Sequence, residues 1–273
     1  MLVAAGVLAA ACGQAVSVRQ QAAVPGQQAG RAAPSSTGSP APGSPAPGLP
    51  APASPAPASP AAPTPVPTPP PRQIDCAKAK CVALTFDDGP GEYTAHLLDE
   101  LKQADARATF FMLGQNVHAH RDLVRRMAAE GHELANHSWS HPQLTSLSSA
   151  GVRSQVRRTQ EAIKEASGVE PTLFRPPYGA TDARVGKAIG MPLIMWSVDS
   201  LDWRYRSVAR NARVGVREPR RDGVVLYHDI HEASVEAAPK VVAGLKRRGF
   251  TLVTVSELYQ GKQLKPGRLY PKW

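Results

Sequence analysis

Acidic residues are absent from the first 72 positions of this 273-residue chain, where the only charges are Arg19, Arg31 and Arg72. Bulky apolar residues are scarce there as well, while 16 of the chain's 27 prolines fall between Pro34 and Pro71. A segment so poor in apolar bulk cannot offset the entropy of ordering its backbone, which excludes a second folded domain at this end. Cysteine is nearly missing: there are three, Cys12, Cys76 and Cys81. No second pair exists to complete a thiolate zinc site with Cys76 and Cys81. The apolar run Leu2–Ala11 is too short to cross a bilayer as a helix. Basic runs interleaved with aromatics are absent too. The clusters Arg125–Arg126, Arg157–Arg158, Arg220–Arg221 and Lys246–Arg247–Arg248 are short and read as solvated faces, so no nucleic-acid partner is expected. The net charge of +10 is compatible with an anionic polymer but does not select one.

The short apolar run does suit the h-region of an export signal. No Lys or Arg precedes it, so either the start lies upstream or the signal is atypical. Ala9-Ala10-Ala11-Cys12-Gly13 resembles a bacterial lipoprotein signal in which Cys12 is lipidated, although Ala9 stands where Leu is usual and Leu8 is one place early. Simple secretion is the alternative. Cys76 and Cys81 are five apart, close enough for a small disulfide loop, and lipidation accounts for the odd Cys12. Pro-Ala-Pro repeats favour polyproline II at ~3.1 Å per residue, a spacer on the order of 100 Å long. The expected boundaries are a signal or lipoprotein-like segment over 1–20, a disordered Pro-rich linker over 21–73, a catalytic domain over 74–263 and a tail over 264–273.

Beyond the linker, strand and helix patterns alternate. Val82–Phe86, Ala108–Leu113, Glu133–Asn136, Thr172–Phe174, Leu193–Val198, Val224–Tyr227 and Phe250–Val255 read as strands. Thr94–Gln103, Arg121–Glu130, Ser148–Ser167, Thr181–Ile189, Val208–Val216 and Ser234–Arg248 read as helices. Continuous apolar strands between helices imply a parallel sheet covered on both sides. Asp87/Asp88, His137, Arg175, Asp199/Asp202 and His228 each lie at the carboxyl end of a strand pattern. In a barrel of this kind those ends meet on one face, where catalytic groups converge.

The residue types suggest metal-assisted hydrolysis. His137 and His141 are four apart, and two His with a carboxylate form a catalytic-metal set. His132-Glu133 followed by His137 mimics the zincin pattern, but the second His comes one place late, which excludes that site and leaves His132 structural. Asp87-Asp88 precedes the strand-breaking Gly89-Pro90, so both carboxylates can turn towards the mouth of the barrel. Taken alone, this pair also reads as an ordinary turn.

Thr85-Phe86-Asp87-Asp88-Gly89-Pro90, His137-Ser-Trp-Ser-His141, Arg175-Pro-Pro-Tyr178-Gly179, Asp199-Ser-Leu-Asp202-Trp203 and Leu226-Tyr-His228 resemble, in order, the five motifs of the polysaccharide deacetylases. These are the NodB-homology domains of carbohydrate esterase family four, and the resemblance spans about residues 80–260. It implies an α/β fold, a distorted (β/α)7 barrel, and one divalent metal, zinc first and cobalt second. The reaction implied is hydrolytic removal of acetyl from N- or O-acetylated sugars. Asp88, His137 and His141 would be metal ligands. Asp87 would be the base towards the attacking water, held ionised by Arg175, with Arg107 a lesser candidate for that duty. Tyr178 would supply a backbone N–H to the oxyanion. His228 would be the acid, its pKa raised by Asp202, and Trp203 and Leu226 would line the acetyl pocket.

His96, His118 and His120 read as surface or second-sphere groups, His231 as a bland residue after the last motif with a place at the groove edge the lesser alternative, Trp139 as packing ahead of sugar stacking, and Trp196 as core. Trp273 is a candidate to pack back on the barrel. Export signal, spacer and basic domain together favour peptidoglycan N-acetylglucosamine as substrate, at the membrane or in the wall, for a monomer. Chitin oligosaccharides and acetylxylan are the alternatives, and a non-catalytic wall-binding module is the alternative of another class.

Overall fold

Cys81–Asp87 is buried along its whole length, as expected of a parallel strand covered on both faces. It forms β1, followed by β2 (Thr109–Met112), β3 (Glu133–Asn136), β4 (Leu193–Ile194), β5 (Val198–Asp199), β6 (Gly223–His228), β7 (Thr251–Val253) and β8 (Leu269–Tyr270). The helices are α1 (Thr94–Gln103), α2 (Gly114–Ala119), α3 (Arg121–Ala129), α4 (Ser149–Ser167), α5 (Ala183–Ile189), α6 (Asp202–Tyr205), α7 (Val208–Arg217), α8 (Glu232–Val235), α9 (Ala238–Arg247) and α10 (Val255–Leu258). The computed structural model describes residues 66–271. The run Leu2–Ala11, Cys12, the linker up to residue 65 and Trp273 lie outside the described residues.

The strands pair in the order β3-β2-β1-β6-β5, all parallel. From β3 the wall continues through single parallel bridges, Asn136 to Phe174 and Phe174 to Leu193, into β4. The result is a (β/α)7 barrel with one stave reduced to Phe174. Among the described residues no ladder joins β4 to β5, and there the barrel is distorted.

Side chains alternate strictly along the staves. Val82, Leu84 and Phe86 pack outward against the helices with Leu97, Leu98 and Leu101 of α1, whereas Cys81 and Ala83 face the interior with Phe111, Ala135 and Val224. The same alternation carries Thr85 and Asp87 inward at the carboxyl end of β1, and Leu226 and His228 inward at that of β6. α4 starts where Ser148 accepts a hydrogen bond from the Gly151 N–H and stops at Gly168, whose φ of 78° suits glycine. The helix expected over 234–248 is instead broken into α8 and α9. Pro239 stands in the first turn of α9 and has no N–H to bond back into the preceding turn.

The opposite, amino-terminal end of the barrel is plugged. β7 pairs with the first half of β1, and α10 follows behind a capping box in which Thr254 and Glu257 satisfy each other's backbone. The Val255 N–H donates to Thr109 Oγ1, and the Ser256 N–H to Glu133, both at strand starts. Residues 66–73 lie against this end. Arg72 forks onto Glu257 at 2.9 and 2.8 Å and donates to the Leu252 carbonyl at 2.9 Å. The Val66 N–H donates to the Ser167 carbonyl. Cys76 and Cys81 form a disulfide beside it. Residues of the segment read as a tail form β8, which pairs with β4. No described helix is long and apolar enough to cross a membrane.

Candidate active site

A cleft of about 420 Å³ opens at the carboxyl ends of the strands, lined by Asp87, Asp88, His137, His141, Trp203, Leu226 and His228 among others. Its residues come from the ends of β1, β3, β4, β5 and β6, the loops that follow them, and the Phe174 stave. Five positions in these loops have positive φ without being glycine: Asp88 (72°), Ser138 (74°), His141 (58°), Tyr178 (60°) and Leu201 (53°). Strained backbone concentrated at one end of a fold is a mark of a site whose groups must point in particular directions.

The left-handed turn at Asp88 separates the two neighbouring carboxylates. Asp87 stays on the inward register of β1, while Asp88 swings towards the two histidines. The Asn116 side chain donates to the Asp88 carbonyl at 2.7 Å and holds the turn. Gly89 is required here, because a Cβ would lie 2.2 Å from an oxygen of the buried Asp229.

Asp88 Oδ1 lies 3.6 Å from His137 Nε2 and 3.6 Å from His141 Nε2. It is buried and has no hydrogen-bond partner. His137 donates from Nδ1 to the Arg175 carbonyl at 2.7 Å, which leaves the Nε2 lone pair facing Asp88. Burial, reinforced by the charges of His141 and Arg175, lowers the His137 pKa to about 3, so its imidazole is neutral. Electron-pair donors brought face to face, one of them an orphaned buried carboxylate oxygen, make an unfavourable arrangement unless a cation joins them. The three ligand atoms lie within 4.8 Å of one another. The donor set therefore fits a divalent metal of the zinc type, with coordination left open.

Asp87 belongs to a different unit. Its Oδ1 accepts from Arg175 Nη1 at 2.6 Å, and the same nitrogen donates to Thr85 Oγ1 at 2.8 Å. Arg175 is fully buried, its Nε donating to the Ile194 carbonyl and its guanidinium lying 4.0 Å from the Phe111 ring centroid. Burial pushes the Asp87 pKa above its ordinary value, and Arg175, then His228, offset this only in part. Arg107 is elsewhere: it donates to the Pro70 carbonyl and pairs with Glu257 at the plugged end.

Across the cleft, His228 Nδ1 donates to Asp202 Oδ1 at 2.8 Å and its backbone N–H to Asp202 Oδ2 at 2.8 Å. Asp202 also accepts from the Trp203 N–H and from the Ser234 hydroxyl. Burial works against a charged His228, but the hydrogen bond and charge of Asp202, aided by Asp87 and Asp88, outweigh it and raise the pKa to about 9. At neutral pH the cleft therefore holds a His228 imidazolium opposite the Asp87 carboxyl that Arg175 grips.

Asp87, Asp88, His137, His141, Arg175, Tyr178, Asp202, Trp203, Leu226 and His228 thus lie in or against one cleft. Tyr178 is two-thirds exposed at its edge, and its ring packs edge-on 4.4 Å from that of His141. Trp203 and Leu226 are on the wall. Trp196, expected in the core, is half-buried and lines the cleft, because the short β4 ends before it. Trp139 packs under Arg158, whose guanidinium lies 3.9 Å from its ring centroid. Sequence reasoning missed Asp229, which is buried against Gly89 and accepts from the Thr94 hydroxyl at 2.5 Å. Its only signal was an acid directly after His228. Thr85, which steadies Arg175, stands in the first motif without a role of its own, and Ser234, which steadies Asp202, carried no signal.

Comparison with known proteins gives a consistent result. The family profile described as polysaccharide deacetylase matches residues 75–192. A peptidoglycan-N-acetylglucosamine deacetylase of Listeria monocytogenes is 42% identical over 192 residues, 70% of this chain and 41% of that protein. The chain thus spans well under half the length of that relative. A peptidoglycan-N-acetylglucosamine deacetylase of Bacillus cereus is 38% identical over 66% of this chain and 71% of its own length. Among solved structures, one described as T48 deacetylase with substrate superposes with a TM-score of 0.71 at 46% identity, covering 72% of this chain and 99% of that one.

Proposed function

The chain belongs to the polysaccharide deacetylases, and from that membership we propose that it hydrolyses acetyl groups from N-acetylated sugars, with peptidoglycan N-acetylglucosamine as the substrate. One observation carries the reading: a carboxylate base on a buried arginine and an imidazolium on a buried aspartate flank one metal-fitting triad in a single cleft.

Asp88, His137 and His141 would hold the metal, which we take to be zinc, with cobalt a functional substitute. When bound, the ion polarises the acetyl carbonyl and makes water a better nucleophile near neutral pH. Asp87 takes the proton of the attacking water, and Arg175 keeps that carboxylate ionised and aimed. Tyr178 offers its backbone N–H to the oxygen on which negative charge develops. An amine is a poor leaving group, so the sugar nitrogen must be protonated as it departs. His228 delivers that proton from Nε2 while Asp202 fixes the ring from behind. Trp203 and Leu226 close around the acetyl methyl, and Trp196 joins them on the wall.

The site is complete within one chain and requires no second copy, and we take the enzyme to be a monomer. The peptidoglycan relatives support action outside the cytoplasm, and lipidation at Cys12 would tether the protein to the membrane there. We assign the catalytic domain from residue 74, entered through residues 66–73, and extend it past 263 to include β8, which pairs with β4. The test is acetate release by metal-reconstituted protein from peptidoglycan, chitin oligosaccharide and acetylxylan side by side, with metal content measured on the same samples. The expected order places peptidoglycan first. Release from acetylxylan alone would make the protein an O-acetyl esterase, and no release from any would leave a wall-binding module.

A further inference from the structure

Beside the cleft, the turn that contains Asp202 displays a basic and aromatic ledge that the chemistry above does not use. α6 is a single turn, entered through Leu201 and left through Arg206, both with left-handed backbone. Asp202 faces inward and is buried, while Trp203, Arg204, Tyr205 and Arg206 are all exposed. The ledge is ordered rather than loose. The Arg210 guanidinium lies 4.1 Å from the Tyr205 ring centroid and donates to the Ser200 carbonyl, and Arg204 lies 5.4 Å from the same ring. Trp203 joins the ledge to the cleft wall. His231 joins it on the other side, its ring centroid 5.8 Å from that of His228, within the field of Arg206. Neither Arg204 nor Arg206 has a carboxylate at ion-pair distance among the described residues.

The ledge adjoins the His228 wall of the cleft through Trp203, so a glycan whose reacting nitrogen meets His228 can lay a neighbouring sugar over α6. Exposed aromatic faces suit sugar rings, and guanidinium groups suit planar carboxylates. We propose that Arg204 and Arg206 form a carboxylate subsite that selects glycans whose neighbouring sugar bears an acidic arm. Peptidoglycan has such a lactyl-peptide arm and chitin does not. This inference rests on the deacetylase reading and names what makes one polymer preferred. Because α6 hangs from Asp202, the residue that positions the acid also displays the subsite.

The test compares kcat/KM for acetate release from soluble peptidoglycan chains bearing peptide stems and from chitin oligosaccharides of equal length. It uses the metal-loaded full chain and the Arg204→Ala/Arg206→Ala double variant. The ratio of the two specificity constants, peptidoglycan over chitin, should fall by between about 2- and 30-fold, the range spanned by two exposed ion pairs. The change should lie in KM for the anionic substrate, and Arg204→Lys/Arg206→Lys should restore part of it. Raising salt should erode the wild-type ratio more than that of the double variant. An unchanged ratio, or one equally salt-sensitive in both proteins, overturns the subsite while leaving the deacetylase reading intact. Absence of acetate release by the wild type from both substrates overturns the deacetylase reading itself, and the subsite with it.

Discussion

Replacing Asp202 with Asn tests the acid half of the site with little change of shape. The side chain is fully buried and accepts from His228 twice, from the Trp203 N–H and from Ser234. The amide keeps the volume but removes the charge that holds the His228 pKa at about 9 against an ordinary 6.5. That gap corresponds to about 3 kcal/mol of preference for the imidazolium. Without it, only Asp87 and Asp88 oppose the effect of burial, and the pKa falls towards the ordinary 6.5. The protonated form is the active one, so activity is present below this pKa and lost as pH rises through it. With the variant at 6.5, the fraction protonated at pH 8 drops from about 90% to about 3%, so amide hydrolysis should fall about 30-fold, with the alkaline limb of the pH–rate profile moving down by about 2.5 units. A cation on Asp88 offsets part of the carboxylate pull in the loaded enzyme, which lowers the wild-type limb; the displacement between the two proteins is the quantity to measure. An activated acetate ester needs no proton on its leaving group and should lose far less. An alkaline limb that stays in place, or equal losses on amide and ester, would refute the assignment of His228 as an acid tuned by Asp202.

Asp87→Asn should abolish turnover while metal content stays at one equivalent, whereas Asp88→Asn should lose the metal; elemental analysis of the two variants separates the roles, and the reverse result means they are exchanged. Gly89→Ala forces a methyl to within 2.2 Å of an Asp229 oxygen, and should cost about 1–3 kcal/mol in urea unfolding together with most of the activity. Arg72→Ala leaves the nearly buried Glu257 without its fork, and should lower stability by about 1–2 kcal/mol at pH 7. Burial raises the Glu257 pKa but the bonds from Arg72 and Thr254 more than reverse this, so the folded value lies below the ordinary 4.5. Its contribution is present above that pH and lost as pH falls through the folded pKa, so unfolding curves of parent and variant should converge in acid.

The strand ends were legible because buried parallel strands read as short apolar runs, and each reactive residue follows one of them at a glycine, proline or polar break. The helix starts at Ser148 and stops at Gly168 were legible for the same local reason, since a cap is written within a few residues of the end it closes. What escaped was set by distance along the chain. Nothing near Arg72 marks Glu257, 185 positions away, as its partner. Trp196 looks like core because a large aromatic in an apolar run carries no sign of the strand ending one stride earlier. Asp229 is buried only because Gly89, on another stave, leaves room for it. Thr85 sits in a motif whose aspartates draw attention, yet it helps to hold the arginine that serves one of them.

The joint at Arg72 has a mechanical consequence. A pull applied through residues 66–73 reaches the barrel at α10 and the end of β7, where it meets a forked ion pair and a capping box before any strand of the wall is loaded. The catalytic mouth is at the other end of the same staves, across the full height of the barrel. Tension entering through residues 66–73 therefore meets the plug first, on the side of the barrel away from Asp87, Asp88 and His228. The protein can be held taut by one end while the other continues to work.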